Sequence, residues 1–90
     1  MTIRFKNDEV GYLQWVQANP KGYVVNVDEP NHVAEYPMVH RASHKLISSP
    51  QRSNYTTAQY VKYCGGDLDA LERWSLARYG KPLVKCRKCM

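Results

Sequence analysis

The chain has 90 residues, a hydrophobic fraction of 43% and a formal net charge of +5. This length fits one domain, residues 1–90, with a modest core that a bound metal would help to stabilise. The composition excludes a disordered tail, and no apolar run approaches the roughly 20 residues of a membrane span. The first six residues contain no apolar signal region, so we expect a cytoplasmic protein without a disulfide framework.

The charge is distributed unevenly along the chain. Residues 1–37 contain three Lys/Arg and five Asp/Glu, a balance of −2, whereas residues 38–90 contain ten Lys/Arg and three Asp/Glu, a balance of +7. A basic surface favours phosphate backbones or acidic protein surfaces as partners. A charge of +5 is also within the range that simply keeps a small domain soluble, so composition alone leaves this choice open.

The first predicted element is a helix. Asn7 or Asp8 can cap its N-terminus, and Leu13 and Val16 follow with helical spacing. The run Asn-Pro-Lys-Gly at residues 19–22 predicts its end, because the residue before proline avoids the helical region and glycine accepts a left-handed turn.

Three strands are predicted in the middle of the chain. Residues 23–28 are rich in valine and tyrosine, and residues 33–41 form a second strand in which Pro37 predicts an edge position or a break. An antiparallel hairpin is the simplest pairing of the two. Residues 44–47 extend the second strand after a bend or start another, and residues 59–64 form a strand before Gly65-Gly66.

A second helix is predicted from Asp67, as its N-cap, to Gly80, with Pro82 beyond its end. The tail at residues 83–86 then returns toward the sheet. The predicted fold class is therefore α+β: an N-terminal helix, a small antiparallel three-stranded sheet, a C-terminal helix and a tail that resembles a zinc knuckle.

The tail contains the most informative motif, Cys86-Arg87-Lys88-Cys89. A redox Cys-x-x-Cys pair uses a following helix, or an equivalent positive environment, to stabilise its thiolate. Only Met90 follows Cys89, so we expect no such helix. A metal-binding knuckle needs only two thiolates brought near two further ligands. The alternative interpretation of this motif is a pair of reduced thiols on a frayed terminus, with no function.

His40 and His44 are the candidates for the two further ligands, which predicts a structural Zn²⁺ site of the Cys₂His₂ type. If residues 40–44 were fully extended, the two imidazoles would face the same way but lie roughly 13 Å apart. The pair can share one zinc only if Ala42 and Ser43 form a turn. A surface pair held by hydrogen bonds is the alternative.

Other ligand sets and functions compete with this assignment. Cys64 can replace one histidine in a Cys₃His site, although a small buried cysteine in the core is the stronger interpretation. His32 fits a turn residue better than a ligand. The sequence has no His-Glu-x-x-His, Gly-rich phosphate loop or Gly-x-Ser-x-Gly motif, and few carboxylates stand near the candidate ligands. We therefore expect no enzymatic activity.

The candidate nucleic-acid-binding residues come from the basic part of the chain, with one aromatic residue beside them. Guanidinium and aromatic side chains engage phosphates and bases, and the tips of zinc knuckles contact nucleic acid. The set is Arg41, Lys45, Arg52, Tyr55, Lys62, Lys85, Arg87 and Lys88.

Three parts of the sequence resemble a group of small, mostly uncharacterised bacterial domains. They are Tyr-Leu-x-Trp with Asn-Pro-x-Gly-Tyr-Val-x-Asn at residues 12–26, His-Arg-Ala at residues 40–42 and Cys-x-x-Cys at residues 86–89. In that group a cysteine stands near the position of His44. The resemblance therefore implies that His44 is a Cys-to-His exchange at a ligand position, which keeps zinc binding possible. It implies no activity.

Two functions remain open at this point. The first is a zinc-stabilised module that binds DNA or RNA, alone or as an accessory to a larger bacterial or phage machine. The second is a small interaction or inhibitor protein whose basic face binds an acidic protein surface. Neither involves a membrane.

Overall fold

The structure is a computed structural model that describes residues 2–28, 37–44, 47, 55–56 and 60–90. Its elements along the chain are β1 (Ile3–Phe5), α1 (Glu9–Ala18), β2 (Tyr23–Asp28), β3 (Met38–Arg41), β4 (Tyr60–Gly65), α2 (Leu68–Tyr79) and β5 (Val84–Lys85). Of the described helices, neither has the length and apolar character needed to cross a bilayer.

The strands form one mixed sheet in the order β1-β4-β2-β3-β5. All neighbouring strands are antiparallel except β3 and β5, which run parallel. The central strand β2 pairs with β4 over its whole length and with β3 over four residues, placing Val24 opposite both Cys64 and His40.

The two faces of the sheet carry separate apolar clusters, because successive residues of a strand point to opposite faces. Val24 and Cys64 pack with Tyr12 and Val16 of α1 on one face. On the other face, Val25, Val27, Val39, Val61 and Tyr63 pack with Leu71 of α2 and with Leu83. The sheet therefore lies between the two helices, and His40 shares the face of α1 because it is in register with Val24.

Both helix caps predicted at the N-termini are confirmed. The carboxylate of Asp8 accepts a hydrogen bond from the backbone N–H of Gly11, and that of Asp67 accepts from Asp69 and Ala70. Such caps satisfy backbone donors that the first helical turn leaves without partners. The predicted ends are also confirmed, since α1 closes at Asn19 and α2 at Gly80.

The α+β class is confirmed, but the prediction of a three-stranded antiparallel sheet is wrong. The sequence pattern predicts no strand at β1 and only a returning tail at β5. Both are short edge strands of three and two residues, too short to show a strand period. The predicted second strand starts at Met38 among the described residues, and its part at residues 33–36 lies outside them.

We expect Gly80→Ala to destabilise the protein by about 1–2 kcal/mol, because Gly80 adopts a left-handed conformation with φ of 71° that strains a residue bearing a Cβ atom. Gly66→Ala is the matched control, since a Cβ there meets no atom within 4 Å. Urea unfolding of both variants measures the difference, and equal stabilities would contradict this account of the turn.

Candidate metal centre

The segment after α2 is held against that helix before it reaches the sheet. The hydroxyl of Ser75 donates a hydrogen bond to the carbonyl of Lys81 (2.7 Å), and the backbone N–H of Leu83 donates to the carboxylate of Glu72 (2.9 Å). Leu83 is buried in the cluster beneath α2. These contacts fix where the chain turns back and set the start of β5.

Pairing of β5 with β3 then places Cys86 beside His40. The N–H of Val84 donates to the carbonyl of Pro37 (2.8 Å), and the N–H of Cys86 donates to the carbonyl of Val39 (3.0 Å). Cys86 is therefore anchored by its own backbone next to the strand residue that precedes His40. The thiol occupies a position set by the sheet rather than by a free terminus.

The turn required between the two histidines is present. Ala42 is fully buried and its N–H donates to the carbonyl of Gly22 (2.9 Å), while the N–H of His44 donates to the carbonyl of Arg41 (3.0 Å). This tight turn brings the two imidazole centroids to 6.0 Å, with the ring planes inclined by 15°. The chain reverses at Ala42 and Ser43, which is the condition for both histidines to bind one metal ion.

Four potential ligands converge at this edge of the sheet. One side-chain ligand atom from each of His40, His44, Cys86 and Cys89 lies within 4.8 Å of all the others. In a tetrahedral site with metal–nitrogen distances of about 2.0 Å and metal–sulfur distances of about 2.3 Å, donors are separated by roughly 3.3–3.8 Å. Closing the observed cluster onto a metal therefore needs side-chain movements of about an ångström or less.

The imidazole of His40 is in a state suited to metal binding. Its Nδ1 is shielded from solvent and has no hydrogen-bond partner among the described residues, and Nε2 of His44 is likewise shielded. Burial, together with the nearby His44 and Lys62, lowers the pKa of His40 to about 4. The ring is therefore neutral at pH 7, which is the form that binds metals.

The backbone of the knuckle points donors at the sulfur of Cys86. Burial alone raises the pKa of this thiol, but hydrogen bonds from the backbone N–H groups of Lys88 and Cys89 and from the Cys89 thiol outweigh it, so the net pKa lies below its ordinary value. The N–H of Met90 closes the turn on the carbonyl of Cys86 (3.0 Å). N–H groups aimed at sulfur stabilise a thiolate, the form that ligates metal.

Arg41 ties the second cysteine to the end of β3. Its backbone N–H lies 3.4 Å from Sγ of Cys89, and its Nε donates to the carbonyl of Cys89 (2.8 Å). The guanidinium also lies 6.0 Å from the ring centre of Tyr23. Burial raises the pKa of Cys89, opposed by the Arg41 N–H. Arg41 therefore orients the tail, although its side chain is exposed.

Cys64 lies away from the cluster. It is fully buried among the residues beneath α1, and it lies opposite Val24, which in turn lies opposite His40. Two strand spacings of about 4.8 Å separate Cys64 from His40, roughly 10 Å in all. The Cys₃His alternative is therefore wrong for the described fold, and the core interpretation of Cys64 is confirmed. His32, predicted as a turn residue rather than a ligand, lies outside the described residues.

The predicted nucleic-acid-binding residues separate into three groups. Lys85, Arg87, Lys88 and Arg41 are exposed, and each is next in the chain to a residue of the four-ligand cluster. Lys45 and Arg52 lie outside the described residues. The remaining two, Tyr55 and Lys62, are buried and only 7% and 4% exposed.

The placement of Tyr55 and Lys62 on a binding face is a wrong prediction. Tyr55 packs against Tyr12 with ring centres 5.3 Å apart. The ammonium of Lys62 donates to the side-chain oxygen of Asn26 (2.7 Å) and to the carbonyl of Tyr55 (2.6 Å). An alternating strand pattern does not predict the burial of Lys62, because it distinguishes the two faces of a strand without showing that other parts of the chain cover both of them.

The backbone N–H groups that face the sulfurs could not be predicted from the sequence, because they have no residue-specific signal beyond the Cys-x-x-Cys spacing. Comparison of the chain with protein-family models, with characterised proteins and with solved structures finds no significant match. The resemblance to small bacterial domains therefore stays a prediction, and the assignment of the site depends on its geometry.

The cluster predicts the binding of one metal ion per chain. We expect one equivalent of Co²⁺ to give the strong visible absorption of a tetrahedral thiolate complex, and the Cys86→Ser/Cys89→Ser variant to lose it, because both sulfurs lie in the cluster. Cys64→Ala is the matched control and should retain the spectrum. Loss of cobalt binding in Cys64→Ala with its fold intact would contradict the ligand assignment.

Lys62 predicts a distinct dependence of stability on pH. Burial lowers its pKa from 10.5 to about 8, against the opposing effects of Glu9 and Cys64. Between these pH values the unfolded chain holds the proton and the folded chain does not, so stability rises with pH.

The free energy of unfolding of the native protein should therefore increase relative to that of Lys62→Met, by up to roughly 3 kcal/mol, as the pH rises from 8 to 10.5. Urea unfolding across this range measures the difference, with Lys21→Met, which removes an exposed lysine, as the control. A difference that is constant with pH would contradict the lowered pKa of Lys62.

Proposed function

We propose that the chain is a zinc-stabilised module that binds nucleic acid through the basic surface around its metal centre. Two thiolates and two imidazoles are one of the donor sets that structural zinc sites use, and a tetrahedral S₂N₂ arrangement favours zinc among the common metals. The close approach of these four donors and the N–H groups directed at Cys86 support this assignment.

The proposed role of zinc is structural rather than catalytic. Four protein donors fill a tetrahedral shell, which leaves no position for the metal-bound water that catalytic zinc sites keep. Zinc would instead link β3 and its following turn to the C-terminal tail. In a chain of 90 residues, whose core is small, such a link contributes directly to the stability of the fold.

One observation carries the proposal of nucleic-acid binding: Lys85, Arg87 and Lys88 are exposed beside the cluster, and none forms an ion pair with a carboxylate among the described residues. Zinc with two thiolates and two neutral imidazoles has no net charge, so a bound metal would not cancel these cations. Residues 73–90 contain six Lys/Arg and no Asp/Glu. Phosphate backbones fit this uncompensated positive surface.

We expect the Arg87→Gln/Lys88→Gln variant to bind a single-stranded oligonucleotide more weakly at ~50 mM salt and to reduce the slope of log affinity against log salt by about 1.4, because each lost phosphate contact removes about 0.7. Fluorescence anisotropy at several salt concentrations measures both quantities. The matched control is Lys21→Gln/Arg73→Gln, which removes two exposed charges from other parts of the surface.

Binding of neither DNA nor RNA by the native zinc-loaded protein at ~50 mM salt would overturn the proposed function. Pull-down partners that persist after nuclease treatment would then favour the interaction-protein alternative, in which the same cations bind an acidic protein surface.

A further inference from the structure

A pocket of about 460 Å³ opens beside the metal centre, between β3 and the C-terminal segment. Its walls combine three chemistries: the half-buried apolar side chains of Met38 and Val84, the candidate ligands His40 and Cys86, and the cations Lys85, Arg87 and Lys88. This volume falls within the range of about 300–1,000 Å³ typical of ligand sites. The metal centre would form one of its walls.

We propose that this pocket holds one nucleotide of a single-stranded nucleic acid, with the base against Met38 and Val84 and the flanking phosphates at Lys85, Arg87 and Lys88. The inference rests on the proposed function and adds the place and form of recognition. Duplex backbone binding needs only the cations, whereas a base can enter this pocket only when it is free of its partner strand.

The apolar part of the pocket favours a base over other anionic ligands. Met38 is in register with Asn26, so its side chain lies on the same face of the sheet as His40. A thioether makes favourable contacts with aromatic rings, and Val84 in the parallel strand β5 lies opposite Met38. A free phosphate or a run of carboxylates would use the cations and leave these two apolar side chains in contact with water.

The charges at the pocket favour a polyanion that passes across it. Lys85 lies in β5, whereas Arg87 and Lys88 lie in the turn that follows, so the cations stand on one continuous segment around the pocket. The nearest acidic residue before them in the chain, Glu72, has its carboxylate engaged by the N–H of Leu83. Phosphates on both sides of an inserted base would therefore meet cations. Among the described residues of this segment, no available carboxylate would compete with the phosphates for them.

The test uses the zinc-loaded full chain labelled with ¹³C at the methionine methyl groups. The chain has three methionines, Met1, Met38 and Met90. Met38 lines the pocket, whereas Met90 packs against the cluster beneath α2. We expect an oligothymidylate or oligouridylate to shift the Met38 methyl resonance and to leave that of Met90 much less changed.

An abasic oligonucleotide of the same length separates base insertion from phosphate binding. We expect the abasic oligonucleotide to bind more weakly and to leave the chemical shift of the Met38 methyl group unchanged. Equal affinity and an equal Met38 shift for the two polymers would overturn the inference while leaving the proposed function intact. Absence of binding by either polymer would overturn both. A mononucleotide that reproduces the full affinity would overturn the requirement for a strand.

A truncation provides a second readout. Met38→Ala should weaken oligonucleotide binding by roughly two- to tenfold, the range of a lost sulfur–aromatic contact, and leave binding of the abasic polymer unchanged. Leu76→Ala, which removes an exposed apolar side chain on α2, is the matched control. An equal loss for both polymers in Met38→Ala would contradict a base at this position.

Discussion

The pairing of β5 with β3 is the interaction on which the rest of the site depends. Two backbone hydrogen bonds, from Val84 to Pro37 and from Cys86 to Val39, hold the C-terminal segment along the edge of the sheet. They place Cys86 beside His40, and the turn that follows brings Cys89 to the backbone of Arg41. Without this pairing the two cysteines would belong to a free tail. The same pairing forms the wall of the adjacent pocket.

A two-residue strand is a weak element by itself, so this arrangement needs further stabilisation. The contacts of Ser75 and Glu72 fix the approach of the segment, but they do not reach the cysteines. Shielding a polar atom such as Nδ1 of His40 without a partner costs about 1–3 kcal/mol. A metal bound by all four side chains would satisfy this nitrogen and link the tail to β3. Metal binding would therefore account both for the free-energy cost of burying this polar cluster and for its proposed structural role.

Sequence patterns predicted the parts of this molecule that depend on local chemistry. Capping by Asp8 and Asp67 and the left-handed end at Gly80 follow from properties of a few adjacent residues. The turn between His40 and His44 is instead a requirement of a shared zinc site, and the structure contains it. The proximity of the four candidate ligands agrees with the prediction made from the spacing of two short motifs. The edge strands could not be predicted in this way, because β5 forms only through its pairing with a strand that is distant in the sequence. The burial of Lys62 could not be predicted from the sequence either, since it depends on tertiary contacts such as the hydrogen bond from its ammonium to the carbonyl of Tyr55.

X-ray absorption spectroscopy of the zinc-loaded protein tests the central claim most directly, because it counts the donors around the metal. The account predicts two sulfurs at about 2.3 Å and two nitrogens at about 2.0 Å, from Cys86, Cys89, His40 and His44. A shell of oxygen and nitrogen without sulfur, or one with three sulfurs, would contradict it. The first result would separate the metal from the knuckle and remove the link between β3 and the tail. The second would require Cys64, which lies in the core beneath α1, as a ligand.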